Sequence, residues 1–208
     1  MKVASLAIPI LALSVSFGCY SAPDLPLVDE VPMVPKTAAC APQRLETVRC
    51  AIDGDTFSTA ECLNDSGEVF RLLGIDTPET AKKEEPADCY GNEAWFELER
   101  VLEDVRVTLT FDEDCLDIYD RTLAYAWLYG EDAEDLIESD VDDAFVMPTS
   151  EDDETLVLVN EWMLAKGFAR VYDSPVDPLA DLLLGDRLQS AENRARNQGL
   201  GLWTDCSN

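Results

Sequence analysis

Arg71-Leu72-Leu73-Gly74-Ile75-Asp76-Thr77-Pro78-Glu79, preceded by Asp53-Gly54-Asp55-Thr56, decides the fold. The two runs flank Asn64-Asp65-Ser66-Gly67, a cluster of turn residues, so the segment reads as a β-hairpin. With the turn centred between Asp65 and Ser66, Asp55 and Asp76 become cross-strand partners at the open end. Partners in such a ladder have Cβ atoms about 5 Å apart. Two carboxylates that close repel unless a cation or a proton lies between them. The carbonyl of Thr77 and waters would complete an oxygen-only shell of the kind calcium accepts.

Glu79 follows Pro78, where the chain must leave the strand, and a carboxylate there can orient or deprotonate a water. Arg71 stands five residues before Asp76. Strict alternation puts it on the opposite face unless Gly74 hosts a bend. A second arginine, Arg121, closes Asp117-Ile118-Tyr119-Asp120-Arg121 and precedes a strand-like run with Tyr125, Trp127 and Tyr129. Guanidinium groups grip phosphate oxygens in pairs and hold their charge at any working pH. Two of them would bind a phosphodiester and stabilise the charge that grows on it. The chain has no histidine, which leaves carboxylate, water and arginine for proton transfer. Tyr125, Trp127 and Trp203 read as core packing rather than base-stacking platforms.

Taken together, Asp53 to Thr56, Arg71 to Glu79, Asp117 to Arg121 with Leu123-Ala124-Tyr125, Val159-Asn160-Glu161, Gly167-Phe168-Ala169 and Gly201-Leu202-Trp203 resemble the staphylococcal nuclease (thermonuclease) family. The resemblance runs over residues 44–206. It implies an α+β fold, mainly β: a five-stranded OB-type barrel with three helices, whose face takes nucleic acid strands. It also implies a calcium-dependent endonuclease acting on DNA and/or RNA, with single strands preferred, that leaves 3′-phosphates. On that resemblance Asp55 and Asp76 match the calcium carboxylates and Thr77 the carbonyl ligand. Glu79 matches the general base, Arg71 and Arg121 the two phosphate-binding arginines, and Asp53 an acidic neighbour of the metal. Tyr119 and Tyr172 are the nearest candidates for base or phosphate contacts. Asp120 departs from the family, which commonly has glycine before the second arginine.

Outside this core, residues 1–18 read as a secretory signal: one lysine, then an apolar run. Gly18-Cys19 resembles a lipobox. Cleavage by ordinary signal peptidase near Ser21-Ala22 is the competing reading. Residues 19–43, rich in proline, read as a semi-extended tether. Lipid on Cys19 would leave six of the seven cysteines for three disulfides in an oxidising compartment. The expected setting is therefore export, either anchored in a bacterial cell envelope or secreted, as a monomer.

Further helices are expected over Gly91 to Asp104, Asn160 to Lys166 and Leu179 to Asn197, with a break near Gly185, and a strand over Val105 to Phe111. Residues 131–154 hold twelve Asp or Glu and no Lys or Arg. Their composition reads as a mobile, solvated insertion, which Phe145-Val146-Met147-Pro148 could dock on the barrel.

Charge opposes the nuclease reading. The formal net charge is −28, from 15 basic and 43 acidic residues. Nucleic acid binders rely on phosphate contacts and present basic faces. A bound calcium ion would invert the local field, and 0.15 M salt screens exposed charges beyond about 8 Å. Two competing classes follow: a non-catalytic OB-fold binding module, and an envelope lipoprotein stabilised by calcium.

Overall fold

The computed structural model describes residues 39–206 except 65, 83–84, 139–146, 149–154 and 174–177. The expected signal, Cys19 and nearly all of the tether lie outside the described residues.

Ten strands form. They are β1 (Arg44–Thr47), β2 (Cys50–Ala51), β3 (Thr56–Ser58), β4 (Val69–Leu72), β5 (Ile75–Asp76), β6 (Arg106–Thr110), β7 (Thr122–Tyr129), β8 (Met147–Pro148), β9 (Thr155–Leu158) and β10 (Arg170–Val171). The main sheet runs β1-β6-β7-β4-β3-β2, with β9 added to β7 and β8 to β9. This hydrogen-bonded path is open, yet its two ends are consecutive pieces of one run, 44–51. Val48 N–H donates to Val105 O beside β6, and Arg49 N–H donates to Ser58 O in β3. The run therefore changes partner between those two residues and curls the sheet back on itself. Residues 44–51, β3, 69–76, β6 and β7 supply the five barrel runs that the sequence led us to expect.

The residues explain the central position of β7. Seven of its eight side chains are buried, as suits a strand packed on both faces. Phe57 and Phe70 are cross-strand partners with ring centroids 5.3 Å apart. Such a pair contributes about 0.5–1.5 kcal/mol beyond its area burial. Trp127 sits in the core and its indole N–H donates to the Thr110 hydroxyl at 2.9 Å.

Five α-helices are described, two more than expected: α1 (Gly91–Leu102), α2 (Glu131–Glu138), α3 (Val159–Ala165), α4 (Gly185–Gln198) and the short α5 (Leu202–Asp205). α1 buries Ala94, Leu98, Val101 and Leu102 on one face, the spacing its sequence predicted. α3 stops at Gly167 (φ +76°), and the expected break near Gly185 separates a 3₁₀ turn, Leu179–Asp181, from α4. α2 corrects the picture of a solvated insertion, because Ala133 and Leu136 bury against the core. Met147–Pro148 pairs with Leu156 and Thr155, so this part of the insertion does dock; Phe145 and Val146 lie outside the described residues.

The six cysteines after Cys19 form three disulfides: Cys40–Cys115, Cys50–Cys62 and Cys89–Cys206. The last ties the end of α5 to the loop before α1.

Candidate active site

The expected hairpin forms in a different register. Thr56 pairs with Arg71 and Phe57 with Phe70, so Leu72, not Asp76, lies across from Asp55. The bend centres near Leu63, which has a φ of +69°, rather than between Asp65 and Ser66. Cys62 is bonded back to Cys50, which holds the apex close to β2. Asp76 pairs instead with Arg170 across β5 and β10.

Asp55 and Asp76 nevertheless meet, through Arg71. Gly74 takes φ +78° in the turn between β4 and β5, and the chain doubles back toward the arginine. A Cβ on Gly74 would also stand 2.5 Å from Leu188 Cδ1. The Arg71 fork then donates to Asp55 Oδ2 at 2.5 Å, to Asp76 Oδ1 at 2.9 Å and to Ile75 O at 3.2 Å. The bend offered by Gly74 is thus what carries Arg71 to the site.

Asp55 is 3% exposed. Its Oδ2 also accepts from the Thr77 N–H at 3.3 Å, and its Oδ1 from the Thr56 hydroxyl at 2.8 Å. Burial pushes its carboxyl up to about 7; Arg71 pulls the other way, and neighbouring Asp53 adds to the rise. For Arg71 burial acts to lower the pKa, but Asp55 and Asp76 overcome it and hold the guanidinium above its usual range.

Arg121 is fixed by Asp117. The Asp117 carboxylate accepts from Arg121 Nε at 2.6 Å, from its backbone N–H at 3.0 Å and from the Tyr119 N–H at 2.8 Å. Burial alone would raise Asp117, yet these donors hold it below the usual carboxylate range. Asp120, at the top of this turn, has φ +61°, the conformation that suits a glycine. Arg121 Nη1 reaches the Thr56 hydroxyl at 3.4 Å. A polar chain therefore runs from Arg121 through Thr56 and Asp55 to Arg71 and Asp76.

Asp55, Arg71, Asp76, Asp117 and Arg121 line one cleft of about 670 Å³ that also takes in Asp53, Thr77, Glu79, Lys82, Tyr119 and Tyr172. The Glu79 carboxylate is exposed and pairs with Lys82 at 2.7 Å. Its backbone is held from behind: Asp88 N–H donates to Glu79 O, and the close approach of Gly91 would be blocked by a Cβ 2.2 Å from that oxygen. Tyr172 lies under the Arg71 guanidinium and Tyr119 under that of Arg121.

Among the described residues no three Asp, Glu, Cys or His side chains gather as a metal site. The candidate donors are two carboxylates and a backbone carbonyl. All three are hard oxygens, and both carboxylates converge on one positive group, which fits a hard divalent cation.

Sequence reasoning missed several supports. Asn160, fully buried at the start of α3, donates to Leu73 O and Ala124 O and accepts from the Ala126 N–H. It pins the turn between Arg71 and Asp76 onto β7, over 87 residues of sequence. The run Val159-Asn160-Glu161, which carried part of the family resemblance, was the available signal. Trp203 is another correction, being only partly buried and stacked with arginines rather than placed in the core.

The chain is similar to known proteins. The family model described as staphylococcal nuclease homologue matches residues 69–205. The thermonuclease of Staphylococcus intermedius is 43% identical over 84 residues, 40% of this chain and 49% of the relative. The thermonuclease of Staphylococcus hyicus is 42% identical over 77 residues, 37% of this chain and 44% of the relative. The SPbeta prophage-derived endonuclease YokF of Bacillus subtilis (strain 168) is 33% identical over 159 residues, 76% of this chain and 43% of the relative. The chain thus spans about half the length of these curated relatives. On the family match, which takes in β4 through α5 and most of the cleft, the chain belongs to the staphylococcal nuclease homologue family.

Proposed function

We propose that the protein is an exported, calcium-dependent endonuclease that hydrolyses DNA and/or RNA, prefers single strands and leaves 3′-phosphates. The observation that carries this is the joint placement of Arg71 and Arg121 on either side of buried Asp55, with Asp76, Thr77 and Glu79 in the same cleft.

Asp55, Asp76 and the Thr77 carbonyl would hold the cation, which supplies positive charge beside the reacting phosphate. Arg71 and Arg121 bind its non-bridging oxygens and stabilise the charge of the pentacovalent state. Glu79, exposed and held by its backbone, exchanges its Lys82 partner for a water and accepts a proton from it. The water oxygen bonds to phosphorus, the bond to the 5′-oxygen breaks, and that oxygen leaves as a hydroxyl after taking a proton. Tyr119 and Tyr172 at the cleft offer ring faces to unpaired bases, which supports a single-strand preference.

Three disulfides support an oxidising compartment. We place the protein in the cell envelope through lipid on Cys19, with a monomeric nuclease unit beyond the tether. Mass spectrometry of the membrane-extracted protein should find acylated Cys19, and an unmodified N-terminus after Ala22 would exclude the anchor.

Purified protein should degrade single-stranded DNA with calcium, stop on chelation, and lose most activity as Glu79→Gln. End analysis should find 3′-phosphates. Absence of chelator-sensitive cleavage at every salt concentration would rule out the enzyme. Calcium-dependent melting without cleavage would favour a stabilising role for the carboxylates.

A further inference from the structure

Arg170 opens β10 as the cross-strand partner of Asp76. Directly opposed residues of a ladder share a face, and so do residues two apart along an extended chain. Arg170 thus stands on the face of the Asp76 carboxylate and of Tyr172, whose ring carries Arg71. Its guanidinium lies over Trp203, 4.7 Å from the ring centroid. Arg196, from α4, lies over the same indole at 4.7 Å. The two guanidinium carbons are therefore no farther apart than twice that distance.

The pairing of charges makes this unusual. Acidic residues outnumber basic ones 43 to 15, and among the described residues most arginines elsewhere find a carboxylate, Arg106 excepted. Arg44, Arg49, Arg71, Arg121, Arg187 and Arg194 each meet one within ion-pair distance. Among the described residues Arg170 has none, and the Arg196 contact to Glu192 is long, 3.8 Å. Two cations on one ring repel until an anion joins them. Stacking uses the flat face of a guanidinium and leaves its N–H edge open to a phosphate. The platform beneath is fixed. Leu202 is buried and its N–H donates to Gly167 O, while Cys206, just after α5, is bonded to Cys89.

We propose that Arg170 and Arg196, mounted on Trp203, form an accessory site for backbone phosphate. It receives the part of a nucleic acid strand that leaves the cleft past Asp76. The proposal rests on the nuclease reading for its ligand, but it concerns binding, not chemistry. It gives this acidic chain a cationic landing point beyond the cleft, and it makes affinity depend on strand length.

The test is the salt dependence of binding. In a Glu79→Gln background with calcium, fluorescence anisotropy follows a single-stranded DNA of about 20 nucleotides from about 50 to 300 mM salt. Each phosphate contact on a single strand contributes about −0.7 to the slope of log K against log salt. Arg170→Gln/Arg196→Gln should shallow that slope by about 1.4 and weaken binding about tenfold at the low-salt end, and Arg170→Gln alone should shallow it by about 0.7. The double lysine variant should restore most of the slope, since a point charge suffices to release counterions. In the otherwise wild-type enzyme, Arg170→Gln/Arg196→Gln should raise KM for the long strand several-fold and leave kcat, and KM for a substrate of about four nucleotides, unchanged.

An unchanged slope in both glutamine variants overturns the site, and the stack is then only packing of the C-terminal helix. A shallower slope in a protein without chelator-sensitive cleavage supports the phosphate site and rejects the nuclease. A parent protein that binds no oligonucleotide at any salt overturns both.

Discussion

Arg71 and Asp55 form a nearly dry ion pair, with Nη1 2.5 Å from Oδ2 and the carboxylate almost without exposure. The same fork reaches Asp76, so one planar group spans both carboxylates. Lysine offers a single point charge and cannot do this. Arg71→Lys should lower turnover at least about 100-fold and raise KM, read by steady-state cleavage of single-stranded DNA. Near wild-type turnover in Arg71→Lys would remove the arginine from the mechanism.

On the proposed assignment, Asp55 would also tie metal affinity to pH. Its folded pKa of about 7 lies above the ordinary carboxylate value because burial disfavours the charge. The folded chain therefore keeps a proton that the unfolded chain has already released, and this group costs stability as pH rises from about 4 to about 7. The cation needs the carboxylate, so calcium affinity should rise as much as about tenfold per pH unit below 7 and flatten above it. Calorimetry at several pH values checks this, with Asp55→Asn as the control that should bind weakly throughout. A flat affinity between about pH 5 and pH 8 would contradict the assignment.

Asp120 holds a left-handed conformation just before Arg121. Glycine adopts it without the Cβ penalty, so Asp120→Gly should raise stability by up to about 1 kcal/mol. Removal of a carboxylate beside Arg121, the proposed phosphate ligand, should also raise the cleavage rate at low salt, with the gain fading as salt screens it. Asp120→Ala should share the salt-dependent gain without the added stability. Thermal melts and salt-dependent rates separate the two effects.

Asn160 ties three backbone groups together without exposure to solvent. Asn160→Ala strands them, at a cost of about 2–4 kcal/mol in denaturant unfolding. Because one of them is the Leu73 carbonyl, in the turn that brings Asp76 to Arg71, the variant should also lose activity while still folded. Full activity at low temperature would limit Asn160 to stability.

Cys89–Cys206 closes a loop of 117 residues in sequence separation. Cys89→Ser/Cys206→Ser should cost about 3–5 kcal/mol on the chain-entropy account. The change in midpoint of a urea titration measures it.

Most of the site was legible in Arg71 to Glu79 and Asp117 to Arg121, because turns and charged side chains announce themselves locally. The class, mixed and mainly β, was implied by the resemblance those motifs carry. The register was not. Asn64 to Gly67 has the composition of a hairpin tip, but the Cys50–Cys62 bridge places the tip near Leu63, and no local preference encodes a disulfide partner. Asp55 and Asp76 meet by way of Arg71 and the bend at Gly74, a route that strict alternation would have denied. Asn160 and the stack on Trp203 join elements far apart in the chain, so only the closed fold exposes them. α2 escaped notice because its five acidic residues masked Ala133, Leu136 and Ile137, which dock it.

The partner exchange between Val48 and Arg49 has a kinetic consequence. Pairing of Cys50–Ala51 with β3 spans only a few residues, whereas pairing of Arg44–Thr47 with β6 must bridge about sixty. Local contacts form early and distant ones late. The hairpin holding Asp55 and Arg71 should therefore gain hydrogen-exchange protection before the barrel shuts, as pulse labelling during refolding would record. Protection of β1 and β6 first would reverse that order. In a newly made chain, the anionic heart of the cleft would then stand open to a cation before there is a barrel to hold it.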